Sequence, residues 1–225
     1  MEGMNVMKAR FLTATIAGAA IAFAASPAAA RVGVASVVQG SPIGKPVGAA
    51  DRILEVGLDV TVNERIVTGI GDRTHLVFAD GTSLTIGPNS EIVLDKYVYD
   101  PEQRRGELSV NVARGAMRFV GGAISKTSEV TIKTPSASMG IRGGILTVAV
   151  SPTGSTTTNF LFGVSMTVTS QGITRTTTQA GMQINVNQGA PPAAPVAIPP
   201  ASLQNNVAVF QQGGPTQFVA TATGF

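Results

Sequence analysis

The chain has 225 residues, no cysteine, no tryptophan, 26 glycines and a formal charge of +3 from 16 basic and 13 acidic side chains. Without cysteine there can be no disulfide, thiolate metal site or cysteine nucleophile, so a hydrophobic core must hold the fold. Charge this sparse and balanced gives no clustered basic face for nucleic acid, while the plentiful glycine, valine and threonine suit strands and turns.

The first element is an export pattern. Lys8 and Arg10 form a basic start, Phe11 to Ala25 is an uncharged apolar run, and Ala28-Ala29-Ala30 has the small side chains a signal peptidase accepts. A signal peptide is predicted over residues 1–30 with cleavage after Ala30, leaving no transmembrane span; the alternative is retention as an anchor.

Beyond Asn63, turn signals recur along the chain: Gly71-Asp72, Asp80-Gly81, Gly87-Pro88-Asn89-Ser90, Asp100-Pro101, Arg114-Gly115, Thr134-Pro135 and Gly140-Ile141-Arg142-Gly143-Gly144. Asp80-Gly81, set between Leu76–Ala79 and Thr82–Ile86, predicts a hairpin with a type I′ turn. Leu108, Val110 and Val112 alternate, as do Val130 and Ile132. Phe160, Phe162, Val164, Met166 and Val168 place five apolar side chains on one face of a strand. Thr134-Pro135 is expected to end a strand, because proline cannot donate to a ladder. Before the tail, only the signal peptide has a helical pattern. These elements predict an all-β fold, an antiparallel β-sandwich or jelly-roll-like single domain, over residues 31–188.

The segment 189–225 has a different character. It holds Pro191, Pro192, Pro195, Pro199 and Pro200, and no charged residue follows Arg175. It is predicted to be a disordered low-complexity tail that stays off the sheet. The alternative is an interaction arm carrying Val207, Val209, Phe210, Phe218 and Phe225.

Catalytic and metal signals are thin. His75 is the single histidine and falls within a strand; no nucleophile elbow accompanies it. Asp72, Asp80 and Asp100 sit at turns, where aspartate bonds its own backbone. The stretches around Asp80 and Asn89 only partly match a calcium loop, and no phosphate-binding or dinucleotide fingerprint occurs. No cofactor is expected. In Gly140-Ile141-Arg142-Gly143-Gly144, three glycines let one arginine project from a fixed place. Arg142 is expected either to tie neighbouring carbonyls or a carboxylate such as Asp80, or to meet an acidic partner.

In this order, Asn63–Thr68, Leu76–Ile86 with Asp80 and Gly81, Gly87–Ser90 with Asn89 and Ser90, and Leu108–Arg118 with Arg114 and Gly115 resemble blocks of the FecR domain. Thr134-Pro135, Gly140-Ile141-Arg142-Gly143, Phe162-Gly163-Val164 and Ala180-Gly181-Met182 continue the resemblance. Gly144 departs from it, since the family usually carries threonine there. The resemblance implies an exported bacterial β-domain in which these motif positions are structural. FecR itself relays iron-siderophore receptor occupancy to a sigma factor through a cytoplasmic segment. Only Met1–Arg10 precede the hydrophobic run here, so the stand-alone exported type is expected. That type implies a non-enzymatic module in the periplasm or at the cell surface, binding an unidentified envelope protein in sensing or assembly. A structural or adhesive surface protein is the alternative, and an envelope carbohydrate-active enzyme comes third.

Overall fold

The computed structural model describes residues 31–211, apart from the side chains of 205–208 and 211. The signal peptide expected over 1–30 and the residues 212–225, with Phe218 and Phe225, lie outside the described residues. Among the described residues no helix is long and apolar enough to cross a membrane.

In chain order the elements are β1 (Arg31–Gln39), β2 (Ile43–Lys45), β3 (Arg52–Ile53), β4 (Asp59–Thr61), β5 (Arg65–Val67), β6 (Arg73–Phe78), β7 (Ser83–Ile86), β8 (Glu91–Asp100) and β9 (Arg105–Val120). There follow α1 (Ala123–Thr127), β10 (Val130–Lys133), β11 (Ser138–Val150), β12 (Thr156–Ser170), β13 (Ile173–Thr177), β14 (Met182–Val186), β15 (Val196–Ala197) and α2 (Pro200–Gln211). All fifteen strands join one hydrogen-bonded sheet, the all-β architecture expected from the alternation.

Two paths run through that sheet and share its three longest strands. One path is β3-β2-β5-β8-β9-β10-β11-β12-β13; the other is β4-β1-β6-β7-β9-β11-β12-β14-β15. β9 shows how they are joined. Arg105–Arg114 pairs with β8, whereas Met117–Val120 pairs with β7, and β11 likewise leaves β10 after Ile141 to join β9 at Ile145. Ile66, Ile92, Val110 and Ile132 from the first path share one buried cluster with Leu76, Leu84, Phe119 and Leu146 from the second. Each such side chain contributes about 1.5–3 kcal/mol on leaving water, and together they hold the two halves face to face without a disulfide.

The structure corrects several expectations. The Asp80-Gly81 hairpin forms, but Phe78 N–H donates to Thr82 O at 2.9 Å and Gly81 N–H to Phe78 O at 3.0 Å, with a positive φ of 81° at Gly81 and none at Asp80. That is a three-residue loop with one left-handed glycine, not a type I′ turn. β9 and β10 run parallel, where an all-antiparallel sheet was expected. α1 was missed because five residues are too few to show a helical period. The glycine-rich Gly140–Gly144 is not a turn; it lies inside β11.

The proline-rich segment expected to stay off the sheet instead lies along its edge. Ala193 N–H donates to Asn185 O at 2.9 Å, Ile198 N–H to Gly181 O at 2.8 Å, and Ala197 pairs with Met182. An edge strand needs only alternate donors, and the residues between the prolines supply them. α2 then reaches β6 and β7. Arg73 Nε donates to Val209 O at 2.8 Å, and Val209 Cγ1 lies 2.9 Å from where a side chain on Gly87 would begin.

Candidate functional site

The motif positions fall into two anchoring clusters and one exposed groove. In the first cluster the loop after β7 is bound to β9: Ser90 Oγ accepts from Ala116 N–H at 2.9 Å, and Ser90 N–H donates to Thr68 Oγ1 at 2.8 Å. Asn89 takes a left-handed φ of 52°, and its N–H donates to Gly69 O at 3.0 Å. Gly115 lies against Ser90 with a φ of 86°. Arg114 is exposed and pairs with Glu91 at 3.3 Å. Thr134 and Pro135 end β10 in a tight loop into β11, in which Thr134 Oγ1 accepts from Ala137 N–H at 3.1 Å.

The second cluster receives α1. Asp80 Oδ2 accepts from Thr82 Oγ1 at 2.7 Å and from Ile124 N–H at 3.1 Å, while Asp80 O accepts from Ala123 N–H at 2.9 Å. Thr82 Oγ1 in turn accepts from Gly122 N–H at 3.0 Å. The first donors of α1, which have no partner within a helix, are therefore met by the Asp80 hairpin far away in sequence. Tyr97 Oη accepts from Asp80 N–H at 3.0 Å; burial, with the Asp80 carboxylate beside it, pushes the Tyr97 hydroxyl up to about 12. Asp80→Ala is expected to cost about 3 kcal/mol, because buried donors lose their acceptor. Urea unfolding checks it, and a loss under about 0.5 kcal/mol, the usual scatter at an unremarkable surface site, would contradict the anchoring role.

The exposed groove lies where β11 and β12 pass between the two halves. Gly143 and Gly144 have φ of 50° and 157°, and Gly163 opposite has φ of 144°. A side chain on Gly144 would collide with the Phe162 carbonyl, and one on Gly163 with the Gly143 carbonyl. This explains the departure at Gly144: these two backbones approach too closely for a side chain. The register between β11 and β12 also slips between Ile145 and Leu146. Bulge and glycines together turn Phe162 and Val164 outward, leaving them 67% and 62% exposed while Phe160, Met166 and Val168 stay in the core. The five apolar residues expected on one face are thus divided, three in and two out.

Phe162, Val164, Val120 and Ile145 wall a groove of about 440 Å³ over Gly143, Gly144 and Gly163, and Lys126 of α1 joins its lining. Arg142 is exposed, pairs along β12 with Ser165 and is not part of the groove lining; its side chain makes no hydrogen bond or ion pair among the described residues, and Glu129 lies over Gly140 on the same strand face. The expected tie from Arg142 to Asp80 does not form, since Asp80 is taken by Thr82 and α1. Lys126 is likewise exposed and without an ion pair among the described residues. A strand-borne aromatic and aliphatic surface with one ammonium in its lining can hold an apolar group of another molecule.

Other charges form local pairs. A second concavity, of about 350 Å³, is lined by Asp95, Lys96, Glu107 and Lys133 among others. Lys133 donates to Asp95 at 2.9 Å, holding that carboxyl below its usual range, and Lys96 pairs with Glu107. His75 is half-buried, with Nδ1 2.9 Å from Thr85 Oγ1; burial, then the Arg118 charge, holds its imidazole below the ordinary value. Among the described residues no three histidine, aspartate or glutamate side chains converge as a metal would require.

Sequence reasoning missed Phe162, Val164 and Lys126 as surface groups, and Glu64 as a buried one. Glu64 is 0% exposed; its carboxylate accepts from Arg52 at 3.0 Å and from Thr61 N–H at 2.9 Å. The one available signal for the groove was Gly163 in the middle of an otherwise strong strand pattern.

Two crystal structures of a proposed anti-sigma factor from Parabacteroides distasonis, at 2.50 and 1.65 Å resolution, are similar to this chain at 14% identity and a TM-score of 0.45. Each alignment covers 59% of this chain and 59% of that one, so the chain spans little over half the length of those structures. No curated protein matches the sequence. Residues 64–190 match the model of the FecR protein family, from the buried Glu64 through both anchoring clusters and the groove. With more than half of its length matched, the chain belongs to the FecR family.

Proposed function

We propose that this protein is an exported, non-enzymatic FecR-domain module that binds another protein in envelope sensing or assembly. The observation that carries the reading is the exposure of Phe162 and Val164 on ordered strand backbone at the family's glycine motif. Large apolar side chains are normally withdrawn from water, and those left out in contiguous strips mark contact surfaces. The groove lining offers one ammonium and no carboxylate, histidine or hydroxyl, a set suited to holding a partner rather than transforming it. Family membership supports a regulatory role, and the export pattern of residues 1–30 supports a periplasmic or surface site of action.

Fractionation of the native host tests the reading. The protein is expected in the envelope with Arg31 at its N-terminus, in complex with one other protein. Phe162→Asp should melt like the wild type and be isolated without that protein. Residence in the cytoplasm, or hydrolysis of envelope glycan by the purified protein, would contradict the proposal.

A further inference from the structure

The family match ends at residue 190, yet α2 lies beyond it and reaches back onto family strands. β15 fixes the start of α2 beside β14, and Val209 near its end meets β6 and β7 at Arg73 and Gly87. Twelve helical residues span about 18 Å, the width of about four strand spacings, so α2 crosses the sheet. Arg73 and Gly87 alternate with the buried Thr74 and Ile86, which puts α2 on the outer face. That face carries a continuous row of polar side chains, paired from strand to strand: His75, Thr85, Arg118, Thr147, Asn159 and Gln183. Although they point away from the core, Thr147, Asn159 and Gln183 are only 2%, 3% and 5% exposed. Asn159 Nδ2 donates to Thr147 Oγ1 at 3.1 Å, and Gln183 Nε2 to Asn159 Oδ1 at 2.9 Å.

We propose that α2 is a strap docked on this face in cis, and that an acidic segment of the partner protein releases it by taking Arg73 from Val209. This rests on the binding-module reading and assigns the regulation of that site. Val120 and Ile145 of the groove stand two residues along the same strands from Arg118 and Thr147, so a protein seated at Phe162 lies beside α2.

The strap is lightly held. None of the α2 side chains described is buried, and its far end is fixed, among the described residues, by one hydrogen bond from Arg73 and the contact with Gly87. An isolated helix of this length is marginal in water, so a strap that lets go unfolds while the sheet keeps its core. Its latch also favours an acid. Arg73 donates to a neutral carbonyl, whereas a carboxylate forms a hydrogen bond with guanidinium roughly twice as strong. Arg73 and Arg118 have no ion pair among the described residues, and the polar row contains no acid. Asp72, next to Arg73, has its two carboxylate oxygens taken by the N–H groups of Ser41 and Gly69. α2 carries no charged side chain, so only the negative end of its dipole answers the two arginines.

Hydrogen exchange of the purified full chain, read by mass spectrometry with and without a decaglutamate peptide, tests the strap. In the free chain the amides of α2 should exchange at least about tenfold faster than those of β11 and β12, because the strap opens without global unfolding. Decaglutamate should speed them further, and decalysine should not. Gly87→Val puts a side chain where Val209 sits. It should open α2, leave the melt of the sheet nearly unchanged and raise the affinity for decaglutamate several-fold, since the closed state no longer competes. Adding Val209→Ala makes room again and should restore both wild-type exchange and wild-type affinity. Arg73→Gln should open α2 without that gain, because the acid loses its cation.

Exchange of α2 only in step with β11 and β12 would make it a fixed part of the domain and overturn the inference. The same holds if Val209→Ala fails to rescue Gly87→Val, if decaglutamate binds no better than decalysine, or if anionic phospholipid vesicles release α2 and decaglutamate does not. Should any of these results appear while the native partner still co-isolates and Phe162→Asp still loses it, the strap is wrong and the binding-module reading stands. If α2 opens as expected but no protein co-isolates with the wild type, the binding-module reading fails instead.

Discussion

Replacing Gly115 with alanine is expected to destabilise the protein by about 4 kcal/mol, the combined cost of a strained backbone and a forced displacement in a packed region. Gly115 holds a φ of 86°, which an L side chain rarely adopts, and a Cβ there would run into the backbone and hydroxyl of Ser90. Ser90 is 0% exposed and is fixed by Thr68 and Ala116, so it has no free direction in which to move. Gly81 supplies an internal control. Its φ of 81° is nearly the same, but nothing stands within 4 Å of a Cβ placed on it. Gly81→Ala should therefore cost only about 1 kcal/mol, the backbone component alone. Urea unfolding of both variants separates the two components, and equal losses would show that the contact with Ser90 contributes nothing.

Arg52→Met is expected to cost about 3–5 kcal/mol, because it leaves the fully buried Glu64 carboxylate without its counter-charge. Arg52 Nη2 lies 3.1 and 3.0 Å from the two carboxylate oxygens, and no other cation pairs with Glu64 among the described residues. Thr61 N–H and Oγ1 also bond to Glu64 Oε2, at 2.9 and 3.1 Å, so the site needs an acceptor even when it does not need a charge. That distinction yields a sharper test. In the double variant Arg52→Met with Glu64→Gln, glutamine keeps the acceptor and removes the charge, and part of the lost stability should return. A double variant no more stable than Arg52→Met would mean that lost packing of the arginine stem, rather than an unpaired charge, dominates. Arg52 Nε is itself buried without a hydrogen bond, which limits how much the intact pair contributes.

The fold was legible wherever one rule acted alone. Leu108, Val110 and Val112 alternate without interruption and all three are buried. Asp80-Gly81 lies at the hairpin tip expected of it, although the turn class differs because only one of its residues takes a positive φ. The groove was not legible in the same way. A period of two places Phe162 and Val164 beside Phe160 and Met166, and it takes a bulge and several glycines, acting across two strands, to turn them outward. A pairing slip of this kind depends on both strands, so a pattern read along one of them cannot show it. Glu64 was hidden for a different reason: a lone glutamate reads as a solvated face, and its counter-ion lies on a separate short strand. Arg142 was seen as projecting from its motif, but the carboxylate suggested for it was already committed to holding α1.

The central claim is that the surface around Phe162 is where this protein meets its partner. A photo-crosslinking amino acid at position 162, introduced into the full chain in the native host, tests it most directly. The control position is Ile70, 86% exposed in the loop between β5 and β6 and outside the groove lining. Illumination should give one predominant adduct with another envelope protein from position 162, and none from position 70. Equal adducts from both positions, or none from position 162, would contradict the account.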